Sequence, residues 1–275
     1  MRIKENIMSK SSPFKIEQQD HTAWLILDRP GKRNSMDFDF LKEMIECFNR
    51  FDEDPDVRVV IIKGEGKSFT AGLDLMALGP LIKDGGADAR ERLRETIMQG
   101  QESMNAIERC RKPVIAAVHS HCIGGGIDML SACDIRIATR DALFSIRETR
   151  IGVIADAGTL QRLPYIIGHG YFRELALTGR DFTANEALQM GFITHISEDR
   201  DQLYDHAAGL ASDIAACPPL TVQGTKDVIL YSRDNGIYPG LQYVAQKNAA
   251  ALKSEDLMEA VTAFMEKRKP VYQGK

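Results

Sequence analysis

Two short segments, VRVVIIKG (57–64) and PVIAAVHS (113–120), are unbroken apolar runs rich in β-branched residues. A strand with one wet face alternates apolar and polar side chains. A run without alternation marks a strand covered on both faces, as in the parallel sheets of α/β proteins. The first run follows AWLILD (23–28), a Pro/Gly/Asn turn RPGKRNS, and the segment MDFDFLKEMIECFNRFDED. In that segment Phe40, Leu41, Met44, Ile45, Phe48 and Phe51 recur at helical spacing, and Asn34 or Ser35 is available as the helix cap. Strand, helix and strand then form a βαβ unit, whose crossover is right-handed.

The cycle repeats. A Gly-rich turn and a long charged helix occupy 79–112, and PVIAAVHS is the next buried strand. GGGIDMLSAC starts a helix and DIRIAT (134–139) is a third strand, with ALFSI (142–146) and GFITHI (191–196) reading as further strands. GYFRELALTG and TANEALQMG read as helical. After residue 198 the strands stop, and four helical stretches follow: DQLYDHAAGLASDIAA, PPLTVQGTKDVILYSR, GLQYVAQKNAAALKS and EDLMEAVTAFMEKRK. The predicted division is therefore an α/β body over 1–198 and a helical region over 199–275, packed on its own core or on another subunit.

The 275 residues carry a formal net charge of −4, which gives no support to a nucleic-acid surface. Arg90, Arg92, Arg94, Arg109, Arg111 and Lys112 read as solvated helix faces. Five scattered cysteines without a CxxC pair fit a reducing compartment. His119, His121 and Cys122 match no common zinc spacing, so no metal is expected. No apolar run reaches the ~20 residues that span a bilayer. MRIKENIMSKSSPFK lacks the apolar core of a signal peptide and KPVYQGK carries no peroxisomal-type tripeptide, which makes a cytoplasmic location the default, with a weak organellar leader left open.

Two loops are candidates for chemistry. SFTAGLDL (68–75) follows the strand 57–63, and Ile123-Gly124-Gly125-Gly126 follows the strand 113–120 and precedes a helix. Loops at the carboxyl ends of strands in one sheet face a common crevice. One backbone N–H from each would make a donor pair for a carbonyl oxygen that gains negative charge. Other glycine-loop chemistries lack their motifs: there is no GxSxG elbow, no GxxxxGK[ST] phosphate loop and no GxGxxG fingerprint.

Three acids, Asp128, Glu148 and Asp156, lie just after strands or in the loops that follow them. Small and apolar neighbours (Val153, Ile154, Ala155, Ala157) would raise the pKa of Asp156 in a closed site. Carboxyls in unlike surroundings can divide general-base and general-acid work. The competing reading makes Asp156 a helix cap and pairs Glu148 with Arg147 or Arg150 on the surface.

SFTAGLDL, KPVIAAVHSHCIGGGIDMLSACDIRIAT and ADAGTLQRLPYIIG, in this order, resemble the crotonase, or enoyl-CoA hydratase/isomerase, superfamily, and the likeness runs from AWLILDRPGKRNSM through TGRDFTANEALQMGFITHI to the helical tail. The resemblance implies an α/β fold, a spiral of repeated ββα units, with a C-terminal helical trimerisation region, in a homotrimer or a homohexamer built as a dimer of trimers. It makes 1–198 the catalytic core and 199–275 the oligomerisation region. It implies an acyl-CoA thioester substrate, with coenzyme A part of that substrate and no separate cofactor. Leu73 and Gly125 would supply the oxyanion N–H groups. Ala71, Gly72, Asp74, Leu75, Gly124 and Gly126 would contact substrate, and Arg29 and Lys32 are positional candidates near the CoA phosphates.

Within the superfamily, hydratases place glutamates at the positions of Asp128 and Glu148. An Asp, Glu, Asp set at 128, 148 and 156 is similar to 3,5-dienoyl-CoA to 2,4-dienoyl-CoA isomerases. That resemblance implies Glu148 as base at C2, Asp156 as acid at C6 and Asp128 as a group that orients or tunes Glu148. The alternatives are a hydratase or simple enoyl-CoA isomerase of the same superfamily, and an idle crotonase fold acting as scaffold or RNA-binding protein. The insert LGPLIKDGGADARERLRET (78–96) is expected to shape the acyl pocket.

Overall fold

The computed structural model describes residues 4–6, 12–79 and 85–275, so part of the N-terminal lead-in and residues 80–84 of the insert lie outside the described residues. One seven-stranded sheet runs in the order β1 (Lys4–Asn6), β2 (Phe14–Gln19), β3 (Thr22–Leu27), β4 (Val59–Gly64), β5 (Val114–Val118), β7 (Ile135–Thr139) and β10 (Ile196–Ser197). The first two pairings are antiparallel and the rest are parallel. A smaller sheet contains β6 (His121–Ile123), β8 (Leu143–Ser145) and β9 (Asp181–Thr183).

Alternate residues of the central strands enter two different cores, which is why their sequences show no polar face. Val60, Ile62, Val114, Ala116 and Val118 join Phe40, Met44 and Phe48 of α1 (Phe38–Glu53) in the larger core. After the four-residue α2 (Leu75–Leu78), α3 (Ala87–Arg109) adds Met104 and Ile107 to it, and α4 (Gly125–Ala132) adds Ile127, Met129 and Leu130. Val59, Ile61, Ile115, Ala117 and Ile137 point the other way, onto Leu203, Ala207 and Ala211.

α5 (Thr159–Arg162) and α6 (Pro164–Thr178) connect β8 to β9, and α7 (Ala184–Gln189) follows β9 before β10. The helical region consists of α8 (Arg200–Ala215), α9 (Pro219–Asn235), α10 (Ile237–Ala251) and α11 (Glu255–Glu266). Its first helix, α8, is the one that carries Leu203, Ala207 and Ala211, so it closes the second face of the sheet and is part of the body's core. Buried Lys226 ties α9 to the body by donating to Asp134 Oδ2 at 2.7 Å and to the Lys112 carbonyl at 3.2 Å.

Two local expectations are corrected. The cap of α1 is Asp37, whose side chain accepts from Phe40 N, because Asn34 turns inward to hold a loop and leaves the capping position to a residue nearer the helix. GFITHI is strand only at Ile196, since Gly191 to His195 turn out of α7 before the chain joins β7. Among the described residues no helix is long and apolar enough to cross a membrane.

Candidate active site

The site begins with a register. β6 and β8 are parallel with Ile123 opposite Ser145, so the residues after each strand leave the sheet at the same edge. Gly124 N donates to Ser145 O at 2.9 Å and holds the two exits together. A parallel bridge between Thr70 and Cys122 lays the first glycine loop alongside the second. The segments around Leu73, Gly125 and Glu148 therefore meet although they lie far apart in the chain.

Asn34 fixes the first loop. It is fully buried, accepts from Arg29 N at 2.8 Å, and its Nδ2 is shared by the carbonyls of Glu65, Ser68 and Phe69 at 2.9 to 3.0 Å. Thr70 Oγ1 donates to Asn34 O and in turn accepts from Gly72 N. Gly72 has φ +80°, and a Cβ there would overlap the Ile123 carbonyl, so this close approach of two loops requires glycine. Nothing in the residue types around it singled out Asn34 beyond its place in a Pro/Gly turn.

The donor pair then follows from backbone geometry. In the parallel bridge between Met36 and Leu73, Met36 N donates to Gly72 O and Asp74 N donates to Met36 O. This pattern uses the peptide groups on either side of Leu73 and turns its own N–H to the opposite side. Gly125 is the first residue of α4, where a helix N–H has no partner within the helix. A Cβ on Gly125 would lie 3.7 Å from Leu73 N, so the two N–H groups are neighbours. Neither donates to a protein acceptor among the described residues. Two adjacent unused N–H groups, one at a helix N-terminus, form a cradle for an oxygen that develops charge.

Glu148 opens a short 3-10 turn, Glu148–Ile151, just beyond β8. Its Oε1 lies 3.2 Å from where a Cβ of Gly124 would be, and its Oε2 is buried with no hydrogen-bond partner. Neither flanking arginine pairs with it: Arg147 bridges to Asp181, and Arg150 donates to the Thr178 carbonyl. Burial is the main force that lifts its pKa to about 7, and repulsion from Asp128 and Asp156 adds to it.

Asp128, on α4, is only 3% exposed, and its Oδ1 accepts from Thr159 N at 2.7 Å. Burial raises its pKa to about 6, with Thr159 opposing and Asp156 reinforcing the rise. Thr159 Oγ1 is buried with no hydrogen-bond partner among the described residues, so Thr159 meets Asp128 through its backbone N–H. The negative charge of Asp128 adds to the rise at Glu148. Asp128 thus acts on Glu148 through its charge, while its one hydrogen bond goes to the loop that bears Asp156.

Asp156 sits in the irregular stretch between the 3-10 turn and α5. The residue is exposed on the rim, yet neighbouring atoms desolvate its carboxyl enough to raise the pKa, against its own backbone N–H. It caps nothing: α5 has Gly158 at the capping position and no side-chain cap.

The remaining predicted residues border this centre. Gly126 packs so that a Cβ would press on Thr70 Cγ2 and Cys122 Sγ. Ala71 and Leu75 are exposed beside the first loop, and Asp74 accepts from Met76 N at the start of α2. Lys32 Nζ reaches Asp74 at 3.6 Å, whereas Arg29 is engaged with Asp37 at 2.6 Å and with the Ser35 carbonyl. His119 is buried with its Nε2 at the Gly66 carbonyl, and His121 is exposed beside Ser120. Among the described residues no three potential ligands cluster to hold a metal ion.

The loops of this largely parallel sheet thus set two unused backbone N–H groups close to Glu148 and to the helix that bears Asp128. The enoyl-CoA hydratase/isomerase family model matches residues 17–275, and the chain belongs to that family. It is 45% identical, over 94% of its length and 90% of the relative's, to the Dictyostelium discoideum protein named Delta(3,5)-Delta(2,4)-dienoyl-CoA isomerase, mitochondrial. It is also 45% identical, over 90% of each chain, to the peroxisomal protein of that activity name from Arabidopsis thaliana. Among solved structures, enoyl-CoA hydratase from Bacillus anthracis superposes with a TM-score of 0.89 at 31% identity, covering 96% of this chain and all of that one.

Proposed function

We propose that the protein isomerises 3,5-dienoyl-CoA to 2,4-dienoyl-CoA. The observation that carries this reading is the set of three carboxyls in unlike surroundings beside the Leu73/Gly125 donor pair, in a chain whose relatives are named for that reaction. Coenzyme A belongs to the substrate, and no separate cofactor is proposed.

The thioester carbonyl accepts from the N–H groups of Leu73 and Gly125. Glu148, as carboxylate, takes a proton from C2; the C2–H electron pair enters the conjugated system and charge builds on the thioester oxygen. A donor of this kind is worth about 2.7–4 kcal/mol of barrier. Asp156, in its protonated form, gives its proton to C6 as the double bonds move to the 2,4 positions; desolvation raises its pKa and so enlarges the fraction in that form. The turnover leaves Glu148 protonated and Asp156 ionised, and exchange with water resets both. The assay is growth of the 2,4-dienoyl absorbance from 3,5-dienoyl-CoA. Rapid hydration of a short enoyl-CoA with no change in the diene would replace this reading with a hydratase.

The rate should depend on pH in a defined direction. Glu148 acts only when ionised, and its pKa is raised to about 7, so proton removal at C2, read as deuterium exchange in heavy water, should rise with pH through that region. Asp128→Asn removes the charge that lifts Glu148 but keeps an oxygen for Thr159 N–H. Its rising limb is therefore expected at lower pH than that of the unmodified protein. A limb that stays put or moves up would remove Asp128 from the electrostatics of the base.

Exposed Ile237, Tyr238, Leu241, Phe264 and Met265 on α10 and α11 offer apolar surface for a homotrimer or a dimer of trimers. The mitochondrial and peroxisomal names of the relatives favour an organellar compartment over a cytoplasmic one.

A further inference from the structure

Asp156 is carried by a stretch with no regular structure, yet a remote acid must be held within a fraction of an ångström to protonate one carbon and no other. The hold comes from α3. Gln101, Asn105 and Glu108 follow one another at i, i+4 and i+7, a single helical stripe. In sequence such a polar stripe reads as a solvated face. Here it faces the acid loop. Gln101 Nε2 donates to the main-chain carbonyl of Asp156 at 2.8 Å. Asn105 Oδ1 accepts from Arg162 at 2.7 Å, and Glu108 accepts from Arg162 Nε at 3.0 Å.

Arg162 passes the hold on to the loop. Its Nη1 lies 3.4 Å from the Ala157 carbonyl, and its guanidinium rests so closely on Gly158 that a Cβ there would overlap it. Gly158 also has φ +127°, a conformation that favours glycine at this point. Arg233 of α9 donates at 2.5 Å to the same Glu108 oxygen, Oε1, so that two guanidinium groups pair with Glu108 and fix it. Asp128 completes the clamp from α4 through Thr159 N. Peptide groups at 156, 157 and 159 are thus each gripped from a different element.

We infer that Gln101 is a positioning residue for the second proton transfer, with the α3 stripe acting on Asp156 through its main chain and not on Glu148. This rests on the isomerase reading above. Of the clamping groups Gln101 is the one whose only role is at Asp156 itself; it lies on a helix surface and buries no charge, so replacing it leaves the cores untouched.

The test uses the full-length protein with 3,5-dienoyl-CoA in heavy water and separates the two halves of the reaction. Deuterium entering C2 reports Glu148, and 2,4-diene formation reports the complete transfer. Gln101→Met keeps the length and removes the donor. It is expected to lower kcat for isomerisation by about 10²-fold, the loss that a misplaced reacting group produces, with KM and C2 exchange little changed. In an Asp156→Asn background the same substitution should cost nothing further, because the group it positions is already gone. Gln101→Lys, which restores an N–H donor, should recover part of the loss. Equal loss of C2 exchange and isomerisation, an unchanged kcat, or an undiminished further loss in the Asp156→Asn background would each overturn the assignment. An unmodified protein that exchanges C2 but never forms the diene would overturn the isomerase reading, and this inference with it.

Discussion

Glu148→Gln should abolish both deuterium exchange at C2 and formation of the 2,4-diene while leaving acyl-CoA bound. The amide fills the same space, but it cannot accept the C2 proton and it places an N–H₂ group where a carboxylate stood. Glu148 is well suited to the base's role by what surrounds it. One oxygen is beside the second glycine loop, the other is buried without a partner, and neither neighbouring arginine neutralises it. An unneutralised carboxylate whose pKa burial lifts to about 7 is a stronger base than one in water. Loss of a positioned proton-transfer group costs about 10²–10⁴ in rate. The experiment follows C2 exchange by mass spectrometry, diene formation by absorbance, and binding of a saturated acyl-CoA by calorimetry. Exchange at the unmodified rate would move the base elsewhere, and Asp128 would be the next group to replace.

The sheet and the two glycine loops were legible because their signals are local. Val59 to Ile62 and Val114 to Val118 show no alternation, and each face of those strands does meet its own apolar layer. Gly72 and Gly125 could be placed because strand ends and small residues are visible in a single segment. Asn34 could not, since its partners at 65, 68 and 69 belong to another loop and only the fold brings them within reach. Asp37 displaced it as cap for the same reason. The three acids were visible as residue types. Their division of labour rests on distances of another kind: Asp128 meets Thr159 across 31 positions, and Gln101 meets Asp156 across 55. Periodicity sees the face on which Gln101, Asn105 and Glu108 lie, but it cannot tell a face that meets water from one that meets a loop.

The same contacts give a second large and separable effect, at the far end of the conjugated system. Asp156→Asn is expected to reduce isomerisation by about 10²–10⁴-fold, the range of a general acid, while C2 exchange and acyl-CoA binding persist. The donor N–H groups come from the loop after β4 (Leu73) and from the start of α4 (Gly125), and Glu148 comes from the turn after β8, so none of the three lies in the stretch that bears Asp156. Removing the acid should therefore leave enolate formation intact and stop only its onward protonation at C6. The loss of a negative charge acts in the same sense on Asp128 and Glu148, both of which Asp156 pushes upward, so the rising limb of C2 exchange should move to lower pH. Exchange measured across pH, together with diene formation, checks both parts. If Asp156→Asn formed the diene at the unmodified rate, Asp156 could not be the proton donor to C6, and a solvent molecule reaching that carbon would take its place.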